Sequence, residues 1–345
     1  MKKLLIFVLT ALLSLSAFAV VGCGGSTNLT IYTGGTGGTY YAFTNGLQTQ
    51  LAKKTSYSYE VIGDTGGSVA NLKAMKSGDC NMAIVQNDTM VNAYNGLTNN
   101  FKESGAITNF SVIGQVYPEV IQIVTDDANI KSLADLKGSN KSVSIGDVGS
   151  GVEANAVALL KKYGIDITFD DAAKKYVSSD ITIENLSVAK SADAMKDNKL
   201  DVFFFTSGAP ATSITEIALA KQVYLLGLDE DVMAEFIADN KIDGKYDVYS
   251  VQPITNAQYS FIPADAPVYT IGVSATYIIS NELSEDVVYN ITKAIWESKG
   301  SIGHSVESTM DTKYAYVTIG NVPVHPGAAK YYKELGLTVD NIAKI

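Results

Sequence analysis

The sequence has 345 residues, of which 46% are hydrophobic, and a formal net charge of −10. A chain of this length and composition can bury a substantial core, normally divided between two lobes or domains, so it is neither disordered nor fibrous. All 26 basic residues are lysine, and the acidic balance leaves no basic face for nucleic acid.

The first segment has the pattern of an export signal. Two lysines open it, an apolar run follows, and the small residue Gly22 stands directly before Cys23. This ending resembles the bacterial lipoprotein signal, which predicts a signal peptide at 1–22, lipid attachment at Cys23 and a tether at 23–28. The alternative is an uncleaved anchor helix. We expect an exported protein, anchored to the outer face of the cytoplasmic membrane or periplasmic, in which Cys80 has no disulfide partner.

Short β-rich runs then alternate with helical patterns. Apolar residues from Tyr40 to Leu51 recur at spacings of three and four, which predicts an amphipathic helix. The first series comprises strands at 29–33, 57–62 and 82–85, this helix, and a helix at 69–77 capped by Ser68. This rhythm predicts a mostly parallel sheet with crossover helices.

A second series of alternating elements begins near Tyr117. Its predicted strands lie at 120–124, 142–145, 181–186, 202–205 and 269–279, its helices at 152–163, 211–220 and 286–298, and a connector at 252–267. Pro326 suits the first turn of a last helix, which Gly336 closes. We therefore predict two α/β lobes, each a mixed sheet flanked by helices, formed by 29–117 with 268–345 and by 118–267.

Three glycine-rich turns lie between a predicted strand and a predicted helix. They are Gly34 to Thr39, Thr65 to Ser68 and Gly149 to Gly151. In an open α/β sheet this is where ligands bind, because glycine lets a ligand approach the amides of a helix start. The alternative is tight turns that need positive φ. No lysine follows the glycines as in a phosphate loop, and the one loose dinucleotide pattern, at 149–154, is weak.

The turns and later segments together resemble the TAXI family, the solute-binding proteins of tripartite ATP-independent periplasmic (TRAP) transporters. The matching segments are 34–41, 65–72, 86–88, 117–119, 133–138, 149–151, 203–210 and 325–328. Ala70 and Asn87 depart from the family pattern, which usually has an acid and a serine there. Both departures lie beside the expected site and bear on ligand preference.

The resemblance implies a type II-like periplasmic-binding-protein fold with the ligand in the cleft between two lobes. It also implies a small carboxylate-bearing solute, such as a glutamate-like amino acid or an organic acid, and delivery to membrane subunits driven by an ion gradient. The alternative is a lipoprotein of the same fold that serves sensing or scavenging without transport.

Because arginine is absent, backbone amides at the glycine turns are the expected grip on a carboxylate. Asp88 is a candidate acceptor for a ligand ammonium or, alternatively, a helix cap. The tyrosines are candidate pocket walls or, equally, core residues. The predicted ligand-binding residues are Thr36, Gly37, Gly38, Thr39, Tyr40, Gly67, Ser68, Val69, Gln86, Asp88, Tyr117, Ser150, Gly151, Ser207 and Gly208.

Catalysis and metal binding have little support in the sequence. There are two histidines, neither of them beside a glycine turn, and no Gly-x-Ser-x-Gly motif. Two histidines and one unlipidated cysteine do not supply an ordinary zinc site. We therefore expect no enzyme activity, no cofactor and no metal.

Overall fold

The computed structural model describes residues 27–345. The predicted signal peptide and the predicted lipid-attachment site at Cys23 lie outside this range. Within residues 27–345, no helix combines the length and apolar character needed to cross a membrane.

The chain alternates strands and helices throughout the described range. The strands are β1 Asn28–Tyr32, β2 Ser58–Ile62, β3 Met82–Gln86, β4 Phe110–Thr125, β5 Ser142–Ser144, β6 Thr168–Asp170, β7 Lys175–Val177, β8 Thr182–Glu184, β9 Val202–Ser207, β10 Tyr224–Leu225, β11 Ser250–Ile254 and β12 Val268–Ser280. The helices are α1 Thr39–Lys54, α2 Ser68–Ser77, α3 Asn87–Tyr94, α4 Thr98–Lys102, α5 Gly151–Lys162, α6 Val188–Lys196, α7 Thr212–Ala220, α8 Glu230–Asp239, α9 Glu285–Trp296 and α10 Pro326–Glu334.

Most strands join one mixed sheet in the order β2-β1-β3-β12-β4-β9-β5-β8. The outer pairs β1–β2 and β5–β8 are parallel, whereas β12 and β4 are antiparallel to their neighbours. β4 pairs along its first part with β12 and along its last part with β9. The register of β12 against β4 shifts twice, between Ala275 and Thr276 and between Tyr277 and Ile278. The two long central strands therefore connect both halves of the molecule.

The buried apolar side chains form three cores. The first is built from residues 29–117 and 275–332, together with Ile242 and Val248. The second and third are built from residues 120–271. On β9, Phe204 belongs to the second core and its neighbours Phe203 and Phe205 to the third, because successive side chains of a strand point to opposite faces.

We call the part around the first core the first lobe and the part around the other two the second lobe. This mixed α/β arrangement confirms the predicted two-lobe fold class. The residue boundaries between the predicted lobes stay a prediction. Ile242 and Val248, which the prediction places in the second lobe, pack in the first core.

Several elements differ from their predictions. The predicted strand at 120–124 is the end of β4, which begins at Phe110, and the predicted connector at 252–267 begins within β11. Ser68 is not the N-cap of α2. The cap is Gly67, with φ of 87°, and Ser68 Oγ instead accepts a hydrogen bond from the Gln86 amide at 3.0 Å.

Candidate functional site

A cleft between the two lobes is surrounded by the carboxyl ends of strands. It measures about 650 Å³, its open mouth included, which is within the usual range for small-molecule sites. The residues that line it are Gly34, Gly35, Gly38, Thr39, Tyr40, Gly66, Gly67, Ser68, Gln86, Glu119, Gly146, Asp147, Ser150, Gly151, Val152, Val188, Phe204, Phe205, Thr206 and Ser207. All three glycine-rich turns thus meet in one space.

Two helices of the first lobe begin at this cleft without a capping side chain. The N-cap of α1 is Gly38 and that of α2 is Gly67, and neither helix has a side-chain cap hydrogen bond. The first amides of an α-helix have no acceptor within the helix and carry partial positive charge. Thr39 and Ser68, which open these helices, line the cleft. The two helix starts therefore offer amides suited to an anion.

The second lobe contributes a third helix start, that of α5. Ser150 caps it by accepting a hydrogen bond from the Glu153 amide at 3.1 Å. Glu153 in turn fixes the preceding turn, because one carboxylate oxygen accepts from the Gly149 amide at 2.8 Å and the other from the Asn185 side chain at 2.9 Å. Burial raises the pKa of Glu153, and these hydrogen bonds oppose the rise. Glu153 therefore shapes this turn.

One buried carboxyl group, that of Glu119 on β4, lines the cleft between the helix starts. Only 1% of Glu119 is exposed, and the Tyr40 hydroxyl donates to its Oε2 at 2.6 Å. Burial raises the pKa of Glu119 to about 8, with a smaller rise from the charge of Asp88 and a reduction from the Tyr40 hydrogen bond. Burial, followed by the charge of Glu119, also holds the pKa of Tyr40 well above its ordinary value. Glu119 is therefore mainly protonated near pH 7 when nothing is bound.

The mouth of the cleft opens into a second space of about 1120 Å³. Thr36 and Gly37 line it from the first lobe, and Asp147 and Lys190 from the second. Burial raises the pKa of Asp147, and the nearby charge of Lys190 lowers it. The Thr36 amide donates to the Asp64 carboxylate at 2.9 Å. Lys190 thus lies at the mouth, and within residues 27–345 no lysine lines the inner cleft, which Asp147 also lines.

The structure brings nine of the predicted ligand-binding residues together at the cleft. They are Gly38, Thr39, Tyr40, Gly67, Ser68, Gln86, Ser150, Gly151 and Ser207.

The other six predicted residues lie elsewhere. Thr36 and Gly37 line the mouth, and Val69 is buried in the first core. Tyr117 packs edge-on against Phe43 at 5.0 Å. A Cβ atom on Gly208 would lie 2.5 Å from Val306. Asp88 is 2% exposed and hydrogen-bonds to Asn155 and Tyr249.

Glu119 is not among the ligand-binding residues predicted from the sequence, although it lies within the matching segment 117–119 and the sequence contains a usable signal for it. Glu119 is the only charged residue in the 16-residue strand β4. Burial of an unpaired charge in a long apolar strand costs free energy. A charged residue at such a position is therefore a candidate for a functional role.

The structure has a two-lobe α/β fold with a cleft between the lobes, the fold of periplasmic binding proteins. The model of the NMT1-like family matches residues 31–336, and the chain belongs to that family. Among solved structures, it is similar to MatC from Rhodopseudomonas palustris with bound malate, with a TM-score of 0.55 and 12% identity over 84% of this chain and 90% of that one.

Two further structures are similar over most of their length. One is an ancestral arginine-binding protein bound to arginine, with a TM-score of 0.46 and 14% identity over 83% of this chain and 97% of that one. The other is the periplasmic aliphatic sulphonate binding protein SsuA from Escherichia coli, with a TM-score of 0.44 and 14% identity over 80% of this chain and 75% of that one.

Proposed function

We propose that this protein is an extracytoplasmic receptor of the TAXI type, which binds a small carboxylate-bearing solute and delivers it to a TRAP membrane transporter. The solute is a glutamate-like amino acid or an organic acid. A lipid on Cys23 holds the receptor at the membrane. The transporter and the lipid anchor rest on sequence resemblance, and the solute class rests on the resemblance together with the cleft.

The single observation that supports a carboxylate ligand is the convergence of three helix starts on one cleft. Micromolar affinity corresponds to about 8 kcal/mol. One partly buried helix N-terminus contributes at most about 2 kcal/mol, and one charge-assisted hydrogen bond roughly 1.5–3 kcal/mol. One turn is therefore insufficient, whereas α1 and α2 together with α5 reach the required total. Because α5 belongs to the other lobe, such a ligand favours the closed form.

The protonation state of Glu119 distinguishes an amino acid ligand from an organic acid that has no ammonium group. An amino acid would place its ammonium within reach of Glu119, which favours the ionised carboxylate and lowers its pKa. An organic acid without an ammonium would leave Glu119 protonated, as a hydrogen-bond donor. Malate, which is bound in the structure of MatC, represents the second class. The two ligands therefore differ in the protons that they release on binding.

The test is isothermal titration calorimetry with L-glutamate and L-malate at pH 7, in buffers of different ionisation enthalpy. We expect at least one to bind with micromolar affinity. L-Glutamate should release about one proton per site, since Glu119 starts protonated and ends ionised, and L-malate should release none. The dimethyl ester of L-glutamate is the control and should not bind. If neither acid binds, or if the ester binds equally well, the carboxylate proposal is wrong.

A further inference from the structure

A buried polar network lies directly behind the cleft, with Asn155 of α5 at its centre. Asn155 is 1% exposed. Its Oδ1 accepts hydrogen bonds from Gln86 Nε2 at 2.9 Å and from Thr206 Oγ1 at 3.1 Å. Its Nδ2 donates to Asp88 Oδ2 at 2.9 Å. Gln86 and Thr206 line the cleft, so Asn155 lies one residue behind the cleft lining.

Two of these three hydrogen bonds cross from one lobe to the other. Gln86 ends β3 and Asp88 is the second residue of α3, both in the first lobe, whereas Asn155 and Thr206 belong to the second. Opening of the cleft would separate the two groups of residues and expose them to water. Closing would bury them again, so a group whose partner had been removed would be left without a hydrogen bond, at a cost of about 1–3 kcal/mol, more when the group is charged.

Asp88 depends on this arrangement because it is a buried acid. Burial raises its pKa, and hydrogen bonds from Tyr249 and Asn155 oppose the rise. Tyr249 donates to the same Oδ2 at 2.7 Å and packs on Phe236 of α8 at 5.1 Å. Asp88 Oδ2 therefore has two donors, of which Asn155 belongs to the second lobe. The other oxygen, Oδ1, accepts from the amide and the hydroxyl of Thr89 at 2.6 Å and 3.2 Å.

We propose that Asn155 is a positioning residue that latches the two lobes in the closed form and sets solute affinity without touching the solute. The latch concerns the closure of the cleft and rests on the proposed function only for the identity of the solute. It assigns Asp88 to closure, and not to contact with a ligand ammonium.

A pair of cysteines at the mouth can measure closure without a ligand. A Cβ atom on Gly37 would lie 3.5 Å from the Cβ of Ala189 in the other lobe, which is within the range that disulfides require. Both positions are exposed. The rate of disulfide formation in the Gly37→Cys/Ala189→Cys protein, followed by peptide mapping, therefore reports the closed population.

The latch is tested by exchanging Asn155 and Asp88 in the protein that carries the two cysteines. Asn155→Asp removes the donor and sets a second carboxyl against Asp88, and we expect cross-linking to slow about 10- to 100-fold. Asp88→Asn removes the acceptor and should also slow it. The double variant Asp88→Asn/Asn155→Asp restores a donor and an acceptor in reversed order, and should return the rate to within about threefold.

The control is Asn95→Asp, which alters an amide pair with Asn321 inside the first lobe and should leave the cross-linking rate unchanged. If the double variant cross-links no faster than the slower single variant, Asn155 is not a latch. L-Glutamate and L-malate are then added to each variant. If neither accelerates cross-linking while the exchange still rescues it, the latch stands and the proposed solute class is wrong.

Discussion

Replacement of Gly151 by alanine is expected to weaken solute binding about 10- to 100-fold while both lobes stay folded. A Cβ atom at this position would lie 1.3 Å from Oε1 and 2.5 Å from Cδ of Gln86, which belongs to the opposite lobe. Gly151 begins α5, where alanine is well tolerated, so the second lobe itself is not strained. Overpacking of this kind costs typically 1–3 kcal/mol, and here the cost applies only to the closed form.

The side chain of Gln86 cannot move aside freely. It is 3% exposed and donates to Asn155, so a shift that relieves the clash also breaks a hydrogen bond between the lobes. Calorimetry with the solute and cross-linking of the Gly37→Cys/Ala189→Cys pair should both show the defect. Gly227→Ala is the matched control, because its added Cβ meets neighbours at 3.5 Å or more. Wild-type affinity and closure in Gly151→Ala would contradict the closed geometry described above.

The regular elements around the cleft could be predicted because their signals are local. The stripe from Tyr40 to Leu51 corresponds to α1, and the glycine turns stand where a strand passes into a helix. The cap of α2 was predicted incorrectly because serine is the commoner cap. At φ of 87° the chain requires Gly67 instead, and this leaves the Ser68 hydroxyl free to bond to β3.

The polar interior of the site could not be predicted, because its partners are distant in sequence. Asp88 and Asn155 are 67 residues apart, and Asp88 and Tyr249 are 161 apart. Nothing in the local pattern distinguishes a buried asparagine from an exposed one on α5. Sequence reasoning therefore located the helix starts, and only the packing of the two lobes shows that Asp88 has protein partners.

The proximity of Glu119 to three helix starts suggests why a cleft without arginine still contains an acid. Helix amides supply partial positive charge at fixed positions, and a guanidinium there would form an ion pair with Glu119. Without it, Glu119 has Tyr40 as its hydrogen-bond partner and remains able to accept from a ligand. The absence of arginine thus leaves both the amides and the carboxyl group available to a solute.

Glu119→Gln is expected to remove the part of the pH dependence of the free energy of unfolding that arises from ionisation of Glu119 in the ligand-free protein. The pKa of Glu119 is about 8 in the folded protein, against an ordinary value of 4.5. Between these values the folded state holds a proton that the unfolded state has lost, so folding becomes more favourable as the pH falls from 8 to 4.5 and less favourable as it rises. For a shift of this size, the cost at pH 8 is roughly 4 kcal/mol. Glutamine retains the shape and the hydrogen bond with Tyr40 but does not ionise.

Urea unfolding of both proteins at pH 5, 6, 7 and 8 measures this difference. The free energy of unfolding of Glu119→Gln should exceed that of the wild type by an amount that grows with pH. His325 has the opposite effect on the free energy of unfolding. Burial lowers the pKa of His325 to about 4, so the folded protein loses stability as the pH falls below 6.5. His325 is present in both proteins and cancels in the difference. Glu60→Gln, at an exposed position of β2, is the control for the loss of one carboxylate. If the difference between Glu119→Gln and the wild type does not change with pH, water reaches the carboxyl group and the raised pKa of Glu119 is wrong.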